Sequence, residues 1–195
     1  LTRFARQRRV FFIEEPIHEE GQSLRLEVSR REDSLYVVTP HIPREMSVGS
    51  EHAVQQQLVD ALLAAQKIRD YVTWYYTPMA LGFTRHLRPR AVVYDCMDEL
   101  SAFKGAPTSL LDHEAELIRR AHVVFTGGQS LYEAKRDRHP NTHAFPSSID
   151  RTHFEQARRI TDDPADQASI PHPRIGFAGV IDERMDIDLL SRVAD

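Results

Sequence analysis

Apolar residues in this chain fall into short β-forming runs separated by longer amphipathic stretches. Residues 10–14 form one such run, stopped by Pro16, and predict a buried strand. Residues 24–28 and 35–38 alternate apolar and polar, which predicts a hairpin or a pair of edge strands whose pairing Pro40 and Pro43 end. Over residues 50–69, Val54, Leu58, Ala61, Leu62 and Ala65 recur at helical spacing and predict a long helix. Residues 71–76 predict the next strand. Thr77-Pro78 then supplies an N-cap with proline at the first helical position, opening a helix that runs to His86.

The second half repeats this alternation. Residues 91–94 predict a buried strand, followed by a polar loop over 95–107 and a helix over 109–120 that turns Leu110, Leu111, Leu117 and Ile118 inward. Residues 122–125 form another strand, Gly127-Gly128 turns the chain, and Ser130 with Glu133 has capping-box spacing for a helix that stops before Pro140. A short strand over 143–145 follows, and Asp150 caps a further turn or two of helix. Residues 158–173 hold three prolines and no periodicity and predict a linker. Residues 174–180 predict a strand, with a helix from about residue 186.

Strands alternating with helices predict an α/β fold: a Rossmann-like, doubly wound, mostly parallel sheet covered on both faces. The expected organisation is a domain over 1–157, a linker over 158–173, and over 174–195 the first βα unit of a second Rossmann-like domain. Leu1 and Asp195 each fall inside a helical pattern, so a piece of a longer protein, lacking the first strand of its first domain, is the expectation.

Composition narrows the class. Hydrophobic residues at 41% and charged residues at 28% are ordinary for a globular chain, and a net charge of −4 with both signs interspersed argues against nucleic acid as a partner. The basic stretch from Arg3 to Arg9 lies on an amphipathic helical pattern and reads as a solvated face. Cys96 is the one cysteine, so no internal disulfide forms, which fits a reducing cytosol. No apolar run approaches the roughly 18 residues of a spanning helix. That pattern is compatible with a cytoplasmic protein, including one associated peripherally with the inner face of a membrane.

In open parallel sheets, ligands collect at the carboxyl ends of the strands. Four segments there carry candidate chemistry. Tyr94-Asp95-Cys96-Met97-Asp98-Glu99 ends a buried strand with three carboxylates, which could hydrogen-bond sugar hydroxyls, act as a general base or hold a cation. Their proximity is expected to raise at least one carboxyl pKa; the alternative is that Asp95 caps a turn while Asp98 and Glu99 are solvated. Gly127 and Gly128 open a helix where backbone could approach an anionic ligand, or simply form a tight turn. Ser147, Ser148 and Asp150 make a compact loop, either ligand-binding or a turn with a cap. Gly179 and Arg184 follow a predicted strand in a loop that could take a diphosphate, or be an ordinary βα turn with a surface arginine. The ten histidines show no zinc-ligand spacing, so no metal site is expected.

In order and spacing, these segments resemble the group 1 glycosyltransferases, retaining nucleotide-sugar enzymes of the two-domain GT-B fold. Phe145-Pro146-Ser147-Ser148-Ile149-Asp150, with Phe154 beyond, stands where that family has isoleucine-proline-asparagine-glycine-valine-aspartate and a phenylalanine. The segment from Glu116 to Thr126 resembles its helix-into-strand passage, with Ala121-His122 in place of alanine-aspartate. Ile175-Gly176-Phe177-Ala178-Gly179 resembles the first strand of its C-terminal domain. The acidic segment from Tyr94 to Glu99 resembles a subgroup of teichuronic-acid-type and other cell-surface polysaccharide transferases. Ser147-Ser148 departs from asparagine-glycine, and the basic residues usual after Gly179 are missing, leaving Arg184 as a substitute.

The resemblance implies an enzyme that moves a sugar from a nucleotide-sugar donor to a hydroxyl of a glycan or lipid-linked acceptor, with no further cofactor and no obligatory metal. It casts Asp98 and Glu99 as catalytic, and Asp95, Gly127, Gly128, Ser147, Ser148, Asp150, Gly179 and Arg184 as substrate- or donor-binding. It also implies that this stretch alone is inactive. Three other readings stay open: a nucleotide-sugar epimerase of the same architecture, a non-catalytic glycan- or nucleotide-binding module, and a metal-dependent enzyme using Asp95 and Asp98.

Overall fold

The computed structural model describes every residue except 22, 23, 147, 161, 175, 182–184 and 195. The chain divides into two units, Leu1–Ser147 and Ser148–Asp195. The first opens with a single turn of helix, α1 (Thr2–Ala5), followed by β1 (Val10–Ile13), β2 (Ile17–Glu19), β3 (Arg25–Glu32) and β4 (Leu35–Pro43). These strands make one sheet around β4, whose Leu35, Val38, His41 and Ile42 are buried.

β3 runs antiparallel to β4, as the predicted hairpin requires, pairing Arg25 with His41 through Glu32 with Leu35. β1 and β2 both run parallel to β4, at Val10–Ile13 against 35–38 and at Ile17–Glu19 against 41–43. Since β3 already occupies one side of β4 at both places, β1 and β2 must follow one another along the other. Between them, three residues (14–16) stand opposite two (39 and 40), so this edge is one strand broken by a bulge. Thr39 Oγ1 donates to Glu14 Oε2 at 2.9 Å across it. Pairing along β4 ends at Pro43, but Pro40 does not end it as expected. Pro40 is paired with Leu26 and falls opposite the bulge, where the ladder is already interrupted and a missing N–H costs little.

A charged cluster ties the far end of this sheet together. Arg25 donates from both terminal nitrogens to Glu19 at 2.6 and 2.8 Å, and His41 Nδ1 lies 2.7 Å from Glu19 Oε1, with Glu27 on the other side of the ring. The hydrogen bond from Arg25, then that with His41, holds the Glu19 carboxyl down at about 2. A depressed carboxyl stabilises the fold above its unfolded value of 4.5 and loses that contribution as pH falls through about 2. Urea midpoints of Glu19→Gln and the unsubstituted chain are therefore expected to differ at pH 6 and to converge towards pH 2. Equal separation at both values would assign the cluster no titration role.

After Ser47, whose hydroxyl accepts from the Ser50 amide, comes α2 (Val48–Ala65). Its buried face is Gln55, Val59 and Leu62, one position round from the face expected, and Ala61 and Ala65 are exposed. Gln55 is admitted because its amide donates to Glu51 Oε1 at 2.9 Å.

The second sheet is built from β5 (Val72–Tyr75), α3 (Leu81–Thr84), β6 (Ala91–Cys96), α4 (Leu110–Arg120), β7 (Val123–Thr126), α5 (Gln129–Lys135) and β8 (Thr142–Ala144). All four strands are parallel and lie in the order β5-β6-β7-β8. The α/β, parallel-sheet, Rossmann-like architecture read from the sequence is thus the one observed. Thr77 caps as expected, accepting from the Met79 amide, although a 3-10 turn over Pro78–Ala80 precedes α3.

One face of this sheet carries Tyr75, Tyr94, Cys96 and Val124, which pack with Leu81 of α3, Leu117 and Ile118 of α4 and Leu131 of α5. The inward face of α4 is Leu110, Glu114, Leu117 and Ile118; Leu111, expected inside, is exposed. On the other face, Phe4 of α1 meets Trp74 at 5.2 Å, Trp74 stacks on Phe125 at 5.8 Å, and Phe125 meets Phe145 at 5.4 Å.

Within Ser148–Asp195, Asp150 caps α6 (Arg151–Glu155) as predicted, and the helix expected from about residue 186 is α7 (Ile187–Ala194), with Asp186 accepting from the Leu189 amide. The strand expected over 174–180 is not formed among the described residues there. A strand needs a hydrogen-bonding neighbour, and no described segment of this unit pairs with it. The βα unit expected over 174–195 is accordingly represented by its helix. Among the described residues, no helix is long and apolar enough to cross a membrane.

Candidate functional site

β6 delivers the acidic segment to the carboxyl end of the parallel sheet, where it divides by the period of the strand. Asp95 lies on the aromatic face, and its Oδ2 accepts from Trp74 Nε1 at 3.0 Å. Burial pushes its carboxyl up, against the lowering effect of that hydrogen bond. The raised pKa anticipated for this segment thus occurs at Asp95, but burial causes it rather than neighbouring acids. Asp98 is exposed, and its carboxylate has no hydrogen bond or ion pair among the described residues. Glu99 is half-buried and engaged on both oxygens. Ser101 Oγ donates to Oε1 at 2.7 Å, and Lys135 Nζ lies 2.7 Å from Oε2.

Lys135 is the residue that sequence reasoning missed. It sits at the end of α5 with only 4% of its side chain exposed, and its ammonium bridges Glu99 to Glu114. Glu114, 5% exposed, is a hub. Lys135 Nζ is 2.8 and 3.0 Å from its two oxygens, Arg138 Nη1 donates to Oε2 at 2.7 Å, and the Tyr94 hydroxyl donates to Oε1 at 3.0 Å. Two carboxylates and two cations therefore balance, with Lys135 and Glu114 enclosed and Glu99 and Arg138 reaching the surface. Burial alone would lower the Lys135 ammonium, but its hydrogen bonds to Glu114 and Glu99 outweigh that and hold it above the usual lysine value. Burial would likewise raise Glu114, and the hydrogen bonds from Lys135 and Arg138 reverse the sign. Burial pushes the Tyr94 phenol far up, so it remains a neutral donor. One signal pointed here: an acid at position 114, between Leu110 and Leu117 on an apolar helix face, is costly without partners.

The two glycines after β7 play different parts. The Gly127 amide donates to Cys96 O at 2.8 Å, and a Cβ on Gly127 would stand 2.9 Å from Met97 O and 3.1 Å from Met97 Cα. Gly127 is therefore what lets the β6 and β7 loops touch. Gly128 has open space around it and precedes α5 in extended backbone. It takes the N-cap position, so Ser130 lies inside the helix rather than capping it, and Gln129 instead donates to Glu133.

Asp98, Glu99, Gly127 and Gly128 thus gather at the ends of β6 and β7. Asp95 precedes them on β6, on the aromatic face, and three other candidates belong to the second unit. Ser148, Asp150 and Gly179 belong to Ser148–Asp195, where Ser148 is exposed and the Asp150 carboxylate accepts from the His153 amide. Gly179 is exposed beside the Phe177 ring. Ser147 and Arg184 lie outside the described residues.

Among the described residues, no three of His, Cys, Asp and Glu stand close enough together to hold a metal ion. An open cavity of about 260 Å³ lies elsewhere, lined by Leu87, Arg88 and Pro89 on the segment entering β6, and by Arg120; it contains no acid and is apart from the acidic loop.

Compared with known proteins, the chain matches no family model and no curated sequence.

Proposed function

We propose that this chain is part of a glycosyltransferase that moves a sugar from a nucleotide-sugar donor to a hydroxyl of a glycan or lipid-linked acceptor, working on the cytoplasmic side in cell-surface polysaccharide synthesis. The observation that carries the reading is the acidic pair Asp98-Glu99 at the carboxyl end of a central parallel strand, against a glycine turn from the next strand. Carboxylates so placed accept hydrogen bonds from sugar hydroxyls and assist the proton transfer that a hydroxyl acceptor requires. The ordered resemblance of the segments around Glu116 to Thr126, Phe145 to Asp150 and Ile175 to Gly179 supplies the choice of chemistry.

The test is turnover by the longest reading frame containing this chain, given UDP-glucose, UDP-N-acetylglucosamine, GDP-mannose and dTDP-rhamnose with a lipid-linked acceptor extract. Asp98→Ala/Glu99→Ala is expected to lower acceptor-dependent release of nucleoside diphosphate by about 10²-fold or more. Unchanged transfer in that variant would remove the site assignment. An epimerised nucleotide sugar formed without acceptor would replace the reading with an epimerase.

A further inference from the structure

We infer that the two neighbouring acids have separate tasks: Glu99, held by Lys135, anchors the loop after β6, and Asp98 is the carboxylate that this loop presents to a ligand. The inference rests on reading the loop as the ligand-binding one, and it makes Lys135 a positioning residue.

The partners of the two side chains decide the division. Both oxygens of Glu99 are already committed, one to the Ser101 hydroxyl and one to a lysine that is almost completely enclosed. Asp98, one residue earlier, is exposed and without a side-chain partner among the described residues. A ligand arriving at the strand end meets a free carboxylate at 98 and an occupied one at 99.

The anchor also has somewhere firm to hold. Lys135 is fixed by Glu114, and Glu114 by Arg138 and by the Tyr94 hydroxyl, whose ring is 1% exposed in the core of the sheet. The position of Glu99 is thereby referred back to β6, α4 and α5 together. On its other side, the loop is pinned by the close approach of Met97 to Gly127 and by Cys96 Sγ, 3.5 Å from Asp98 O. From residue 103 to 105 the loop is otherwise exposed, with Gly105 in the left-handed region. Glu99 is thus the side chain that ties this loop to the buried Lys135–Glu114 pair.

Hydrogen exchange on the chain reads this without any ligand. The amides of Ala102, Phe103 and Ala106 bond within the loop, to Glu99, Leu100 and Phe103, while those of Ala121 and Val124 report on α4 and β7. In Glu99→Ala, the three loop amides are expected to exchange roughly tenfold faster, with Ala121 and Val124 unchanged, because local opening involves only the contacts of that segment. Glu114→Gln/Lys135→Met removes one charge of each sign, so the interior stays balanced, and should give the same loop-limited loosening. Lys135→Arg should retain protection, and so should Asp98→Asn.

Loop amides within about twofold of the unsubstituted chain in both Glu99→Ala and the double variant would overturn the anchor. Loosening by Asp98→Asn equal to that by Glu99→Ala would overturn the division of tasks. Turnover of the same nucleotide sugars separates this from the wider reading. Where one is turned over, Asp98→Asn should lose kcat while keeping loop protection, and unchanged kcat would refute the role of Asp98. Where none is turned over, the transferase reading fails and the exchange results still decide the anchor.

Discussion

Glu114→Leu is expected to destabilise the chain by about 3–5 kcal/mol, the range for breaking a buried ion pair by removing one partner. Leucine fits the helix face between Leu110 and Leu117, so the loss is electrostatic rather than steric. It strands Lys135, 4% exposed, with Glu99 alone, and leaves the buried Tyr94 hydroxyl without its acceptor. The sign of the pH dependence follows from the two shifts. Glu114 is depressed, so its contribution is present above the ordinary glutamate value of 4.5 and fades as pH falls below it. Lys135 is raised, so its contribution is complete below the ordinary lysine value of 10.5 and fades as pH rises beyond it. The difference in urea midpoint between Glu114→Leu and the unsubstituted chain should therefore be broad and flat near neutrality and shrink at both extremes. A loss below about 1 kcal/mol at pH 7 would show that the network contributes little beyond its own desolvation cost.

Gly127→Ala is expected to cost about 1–3 kcal/mol, as overpacking does where the neighbour cannot move aside. The new methyl would meet backbone atoms of Met97, and these cannot swing away as a side-chain end could. Gly127 is not in the left-handed region, so the cost is contact alone. Gly128→Ala, with nothing within 4 Å of the added carbon, provides the contact-free comparison and should cost only what replacing glycine at an N-cap costs, about 0.5–1 kcal/mol. Paired thermal and urea unfolding of the two variants checks this. Equal losses would mean that the β6 and β7 loops relax freely.

Strands such as Val10 to Ile13 and Ala91 to Cys96 were legible because they are short, mostly apolar and bounded by proline or polar residues. By contrast, β2 is too short and polar to announce itself, and 174–180 lacks a pairing neighbour among the described residues. Helix faces were less so. Hydropathy puts Leu111 inside and Glu114 outside; the structure reverses them because Lys135, Tyr94 and Arg138, all remote in sequence, satisfy the acid. Gln55 enters the buried face of α2 for a similar, more local reason. Ser130 has the right spacing for a cap, yet the extended backbone at Gly128 starts the helix earlier. At the site, Asp98, Glu99 and Gly127 were visible from their place after a strand. Lys135 was not, because a lysine in the last turn of a helix ordinarily faces solvent, and only the tertiary arrangement shows what it holds.

In the second sheet, position in space repeats position in the chain: Val72 pairs with Ala91, Val93 with Val123, and Val124 with Thr142. No strand has to be inserted between two that are already paired. During synthesis each new strand can add to the edge left by the last, carrying its own helix onto the growing layer. Lys135 and Arg138 follow β7 in the chain, so the two cations that partner Glu114 are the last members of the charged hub to be made.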